Sequence, residues 1–230
     1  MSAVMPIFFR MSLTAMLTLA VSLLGLLLSS NAWSQWLTVV DQHGDPVAQA
    51  IVTFVGVPSP IDVSQLAVVD QVEQQFSPQQ RVIAPGQRVS FPNSDNIRHH
   101  VYSFSTPKVF EIRLYADTPE APILFDQAGV VVLGCNIHDN MIGHLYISAD
   151  LSLITDDLGR VLLPDGANDI YLWHTRYQLD DEQRLLVRAS QWQSSVSDSP
   201  SVRLPLAVPL ARDKQMTPTS GFGNHFRMGH

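Results

Sequence analysis

Cys135-Asn136-Ile137-His138-Asp139-Asn140-Met141-Ile142-Gly143-His144 is the stretch that decides how this chain is read. It holds the single cysteine. Four of the seven methionines lie before residue 17 and two lie near the C-terminus, so Met141 is the one in the body of the chain. A thiolate, an imidazole and a thioether within seven residues make a soft ligand set. Such a set suits copper better than calcium or magnesium, which take oxygen. The competing structural reading is a small buried cysteine and a gap-filling core methionine.

The spacing Cys-x2-His-x2-Met cannot chelate from a straight strand. Positions 135 and 138 differ by an odd number, so their side chains would leave opposite faces. On a tight loop all three can turn to one point. The runs on either side, Gly129–Leu133 and Leu145–Ile147, read as strands. The expectation is a loop closing one end of a β-sandwich. A fourth ligand must come from elsewhere, and His99 or His100 is the candidate. Adjacent residues on a strand cannot both face inward, so at most one of them reaches the loop.

Working outward, short apolar or alternating runs recur at Trp36–Val40, Ala50–Val55, Ala67–Val72, Arg81–Gly86, Arg88–Phe91, His99–Phe104 and Phe110–Leu114. Turn residues separate them, as in Asp41-Gln-His-Gly-Asp-Pro46 and Pro92-Asn-Ser-Asp-Asn96. No helical period appears after the first 34 residues. The fold class expected is an all-β sandwich. Residues 35–149 are read as the main domain, with an N-terminal hairpin at 36–56. Residues 150–189 are read as a small C-terminal β appendage, too short to be stable without packing on the sandwich. His174, beside Trp173, reads as structural. Residues 190–230, rich in Ser, Pro and Gln, are read as a mostly disordered tail. That tail ends in His225, Met228 and His230, a weak metal-binding possibility.

Composition sets outer bounds. With 46% apolar and 15% charged residues the chain can bury a sizeable core. Fourteen basic residues against 21 acidic ones give a net charge of −7, and no basic patch is present, which argues against nucleic-acid binding. Arg10, the apolar segment 11–28 and the small-residue site Ala32-Trp33-Ser34 read as a signal peptide over residues 1–34. An uncleaved anchor is the alternative. The expected location is therefore periplasmic or otherwise exported, with no stable membrane insertion after cleavage. One cysteine cannot form an internal disulfide, so Cys135 is buried, metal-bound or reactive.

The pattern Phe76-x-Pro78, Val82, Gly86, Val89-x-Phe91-x-Asn93-x-Asp95, His99, then Cys135-x2-His138-x2-Met141 resembles the cupredoxins, the blue copper proteins. The loop length is similar to that of amicyanin. The wider chain resembles plastocyanin-type proteins labelled methylamine utilisation proteins, in which a copper domain is flanked by carboxypeptidase regulatory-like β-domains. The turn at 41–46 and the stretch 157–174 are similar to that flanking pattern. The copper resemblance covers about residues 66–149. It implies a Greek-key cupredoxin-like β-sandwich and one type 1 copper held by His99, Cys135, His138 and Met141. It implies single-electron transfer rather than catalysis, with a redox protein such as a c-type cytochrome or a dehydrogenase as partner. Asn93 would lie near the site. Two positions depart from the family: His100 stands where Asn is frequent, and Asp139 follows the second histidine where amicyanin-like loops carry Pro.

The ligand set explains why such chemistry would use these residues. Cu(I) favours soft sulfur and low coordination, whereas Cu(II) favours nitrogen and tetragonal geometry. Two imidazoles, one thiolate and a weak thioether serve both states with little rearrangement. Ile137 and Ile142 would limit water around them. Three other readings use the same residues. A Cys/His nucleophile–base pair lacks an orienting group and an oxyanion element. Copper storage or delivery would add the His/Met tail. A structural zinc site would use His99, Cys135, His138 and His144, with His144 in place of Met141.

Overall fold

The computed structural model describes residues 35–119, 121–177, 183–194 and 199–206. The expected signal segment 1–34 and the His225, Met228, His230 tail lie outside these residues. Among the described residues the chain forms strands and a single short 3-10 turn at Ala189–Gln191. In chain order the strands are β1 Trp36–Val40, β2 Ile51–Pro58, β3 Ala67–Val68, β4 Asp70–Val72, β5 Gln75–Ser77, β6 Gln80–Ile83 and β7 Gln87–Ser90. There follow β8 His99–Ser103, β9 Phe110–Tyr115, β10 Ile123–Phe125, β11 Gly129–Cys135 and β12 Ile142–Ile147. The last six are β13 Asp150–Ile154, β14 Arg160–Leu162, β15 Ile170–Trp173, β16 Leu185–Val187, β17 Gln193–Ser194 and β18 Pro200–Arg203.

The expected all-β sandwich is present. A five-stranded sheet in the order β6-β12-β11-β8-β9 packs on a three-stranded sheet in the order β10-β7-β3. Sequence neighbours β7 and β8, and β9 and β10, lie in opposite sheets, while β6 pairs in parallel with β12. Val89, Phe91, Val101, Phe125, Val131, Leu133, Leu145 and Ile147 fill the space between the sheets. Period-2 alternation puts them there: Val131, Leu133 and Cys135 all leave one face of β11. A small hairpin, β4–β5, lies beside this sandwich and contributes Phe76 to its core.

The other strands divide differently from the sequence-based boundaries. β1 and β2 do not pair with each other, and each lies in a sheet with strands from beyond residue 149. β1 lies in a sheet ordered β14-β1-β18-β17, and β2 in a sheet ordered β13-β2-β15-β16. These two sheets enclose a second core of Leu37, Val39, Val52, Phe54, Val161, Ile170, Leu172 and Val202. The physical reason is the one that made a 40-residue appendage look marginal. Residues 150–189 alone lack apolar surface for a core, and β1 and β2 supply it. Part of the expected tail, residues 199–206, also packs on this core. β18 pairs in parallel with β1, and Val202, Leu204 and Leu206 are buried. A serine- and proline-rich composition hid this short strand, which gains its order from a non-local partner.

The two sandwiches meet along a seam between β2–β15 and β11–β12. Ile51, Val130, Tyr146 and Trp173 form its buried centre. The Thr53 hydroxyl donates to the Tyr146 hydroxyl at 2.8 Å. β12 is consequently buried on both faces: Leu145 and Ile147 enter the first core, while Tyr146 enters the seam. This double burial explains the continuous apolar run there, where a one-sided strand would alternate.

Candidate metal centre

β11 ends on Cys135, a turn closed by the Met141 N–H donating to the His138 carbonyl at 2.9 Å follows, and β12 begins at Ile142. This is the closing loop anticipated from the spacing. Two glycines let it close. A Cβ on Gly134 would lie 2.7 Å from the Tyr102 ring, and one on Gly143 would lie 2.9 Å from Phe76. Tyr102 and Phe76 therefore cover the two strands next to the loop only because no side chain stands in their way.

On β8 the alternation settles which histidine faces inward. His99 is fully buried. His100 points to the other face, where its Nε2 lies 3.0 Å from the Glu111 carboxylate. His99 Nδ1 lies 3.7 Å from the Cys135 sulfur, and His138 Nδ1 lies 3.8 Å from the same sulfur. The three ligand atoms all fall within 4.8 Å of one another. Among the described residues, this is the group of histidine, cysteine or acidic side chains that could hold a metal ion.

The spacing of these atoms tests whether a metal fits. Donors sharing one ion, bonded at about 2.1 Å for nitrogen and about 2.3 Å for sulfur, can stand no more than about 4.4 Å apart, and both observed separations fall inside that limit. Two imidazole nitrogens and one sulfur so spaced would fit a His2Cys donor set. Cys135 and Met141 are both almost completely buried in the sandwich core. Both also line one cavity of about 420 Å³, together with Tyr102, Asn136, Asp139 and Ile142. His144 lies apart from the cluster. It leaves the other face of β12, with its ring centroid 5.3 Å from that of Trp173 in the seam. The four-ligand zinc alternative needs His144 beside Cys135, and the parity of β12 prevents it.

His99 is held from behind. Its Nε2 lies 2.7 Å from the Asp95 carboxylate, so the ring presents Nδ1 to Cys135. Burial pushes the Asp95 carboxyl up, but the N–H groups of Gln74 and Glu73 and the His99 ring outweigh it and hold it below the ordinary carboxylate range. Asn93 ties the same loop down. Its side-chain amide donates to the carbonyls of Ile97 at 2.8 Å and Tyr115 at 3.1 Å, and its Oδ1 accepts from the Asp95 N–H at 3.0 Å. Tyr115 donates to the Phe91 carbonyl at 2.7 Å and contacts Gln71. Burial pushes its phenol up, so it stays a neutral donor.

Sequence reasoning placed His99, Cys135, His138 and Met141 in one neighbourhood and left His99 and His100 open. It gave Asp95 no role, and it passed over Glu73, Gln74 and Tyr102. The one available signal was an acidic residue four positions before a candidate ligand. Ile137 and Ile142 were expected to shield the site, yet they are 49% and 43% exposed. They form an apolar rim open to solvent, because the loop turns outward between its buried ends.

Fold and site together define a β-sandwich with a buried Cys–His cluster where its last two strands close. That is the arrangement implied by the cupredoxin resemblance. No family model and no curated protein matches the sequence. Among solved structures, the chain is similar to a purple cupredoxin from Nitrosopumilus maritimus, at 21% identity over 36% of this chain and 99% of that one, with a TM-score of 0.32. It is similar to an amicyanin variant in the Cu(I) form, at 15% identity over 44% and 99%, with a TM-score of 0.33. It is also similar to a copper-containing nitrite reductase from Thermus scotoductus, at 20% identity and a TM-score of 0.34. That match covers 49% of this chain and 28% of the reductase.

Proposed function

We propose that this chain is an exported protein that holds one copper ion with His99, Cys135, His138 and Met141 and carries single electrons between redox partners. The observation that supports the reading most is the convergence of one thiolate and two imidazole nitrogens within 4.8 Å of one another. Bound there, copper supplies a one-electron couple. Cys135 gives it a soft, strongly coupled sulfur, and Met141, at the far end of the same loop, gives it a weak thioether.

The protein's own part is to keep these ligands still. His99 and Cys135 sit on paired strands, in register beside the Cys135–Val101 pair. A sheet-bound ligand cannot follow the preference of either oxidation state. His138 is only partly buried, and its imidazole edge is the route by which a c-type cytochrome or dehydrogenase would exchange electrons. The net charge of −7 favours a cationic partner surface.

The test is a spectrum of copper-loaded protein with a redox titration. An intense blue band that bleaches reversibly with one electron per chain supports the reading. Colourless protein with one zinc per chain would replace it by a structural zinc site. Storage or delivery, the other use of the same ligands, predicts rapid copper transfer to an acceptor chelator and slow electron exchange.

A further inference from the structure

The β4–β5 hairpin turns through two residues, Glu73 and Gln74, a loop whose twist calls for positive φ at both. Glu73 and Gln74 have φ of 52° and 60°, a backbone region that glycine and asparagine adopt at little cost and these residues do not. Such strain persists where surrounding contacts over-determine it, and it clusters at functional sites. Here the contacts are specific. The Glu73 N–H donates to Asp95 Oδ1 at 2.6 Å, and the Gln74 N–H donates to Asp95 Oδ2 at 2.9 Å. The same Oδ2 lies 2.7 Å from His99 Nε2. One strand earlier, Asp70 accepts from the Ser94 hydroxyl at 2.8 Å, fastening the hairpin to the same loop.

The hairpin also reaches the other ligand segment. Phe76, on β5, is buried and packs on Gly143, two residues after Met141. Just beyond β5, the Gln79 carbonyl accepts from the His144 N–H at 2.8 Å. Residues 70–79 thus touch both the His99 loop and the start of β12.

We propose that the Glu73–Gln74 turn is a positioning element for the metal centre: its two N–H groups grip Asp95, and Asp95 fixes His99 with Nε2 protonated and Nδ1 toward Cys135. The inference rests on the metal reading above for its purpose, but the chain of contacts exists without a metal. A carboxylate held by two backbone donors cannot rotate away, so the ring it holds cannot flip or change tautomer. Carboxylate–histidine pairs of this kind raise ligand basicity, and their loss costs roughly 10–100-fold in metal affinity.

The test uses the full-length protein. In the metal-free state, nitrogen NMR of the histidine rings reads the His99 tautomer directly. Wild type is expected to show a single Nε2–H form. Asp95→Ala is expected to mix the two tautomers, to lose exchange protection at the Glu73 and Gln74 amides, and to weaken Cu(I) binding, measured against a competing chelator, by roughly 10–100-fold. Asp95→Leu, close in volume and without an acceptor, gives the same directions if the alanine variant does not fold. Replacing Glu73 and Gln74 together by glycine keeps both N–H groups and removes the strain. That variant is expected to melt higher with tautomer and affinity unchanged. A single unchanged tautomer in the Asp95 variants overturns the proposal, whatever their stability. If the wild type binds no copper, the metal reading fails, while the tautomer measurement still decides the positioning role.

Discussion

Cys135 and His99 stand 36 positions apart in the chain, yet the thiol sulfur and the imidazole Nδ1 lie 3.7 Å apart in the sandwich core. Pairing of β11 with β8, in which Cys135 faces Val101, makes this approach. His99 is thereby committed before any metal arrives. If this pair is the heart of a copper site, Cys135→Ser loses the visible band and the paramagnetic signature of the oxidised protein while keeping the fold. Absorption and electron paramagnetic resonance of copper-loaded protein check it. A serine variant that keeps the band would show that the colour arises elsewhere.

Met141 and His144 are three residues apart and face different environments. Met141 shares a cavity with Cys135, and His144 lies against Trp173. Met141→Leu is expected to keep the band and raise the reduction potential, since Cu(II) loses a weak donor. His144→Ala is expected to leave band and potential within error of wild type. Voltammetry on both variants measures this. Loss of metal from the His144 variant alone would overturn the ligand choice.

The two glycines beside the loop differ in what a methyl group would meet. At Gly143 the obstacle is Phe76, almost wholly buried in the core. At Gly134 it is Tyr102, a half-buried ring that can swing toward solvent. Gly143→Ala is therefore expected to cost about 1–3 kcal/mol of stability through overpacking. Gly134→Ala is expected to cost less. Urea unfolding of the metal-free protein gives both values, and equal costs would mean that Tyr102 is as firmly held as Phe76.

His174 supplies a pH dependence separate from the metal site. Burial, then the nearby Arg176 charge, lowers its pKa from 6.5 to about 4, despite a backbone hydrogen bond with Ala48 that acts the other way. In the unfolded chain the ring titrates near its ordinary value. Between these values the unfolded chain binds the proton and the folded one does not. Stability is then fully present above about pH 6.5 and falls as pH drops toward 4, by at most about 1.4 kcal/mol per unit. His174→Gln is expected to flatten that slope in metal-free protein unfolded at pH 7 and pH 5. An unaltered slope would assign the dependence to another group.

The seam should make the two sandwiches unfold together. Trp173 is fully buried between them, among Ile51, Val130 and Tyr146. Trp173→Ala is expected to cost about 3–5 kcal/mol. It should lower the unfolding midpoint of both cores, followed through amide exchange at Val52 for one and Leu133 for the other. Destabilisation confined to one of them would mean that the seam carries little coupling.

Local pattern determined a good deal here. Alternation in segments such as Arg88–Phe91 gave the all-β class, and the tight Cys-x2-His-x2-Met spacing demanded a loop, because both follow from the geometry of a few consecutive residues. Tertiary structure decided the rest. His99 and His100 are chemically identical, and only the pairing of β8 with β11 turns one inward. β1 and β2 could not be assigned to the second sandwich from their own residues, since an apolar strand does not encode which sheet completes its core. Asp95 is one acidic residue in a polar loop until the backbone of Glu73 and Gln74, more than twenty positions earlier, closes on it. Periodicity is written along the chain, whereas pairing across it depends on which distant surfaces bury each other.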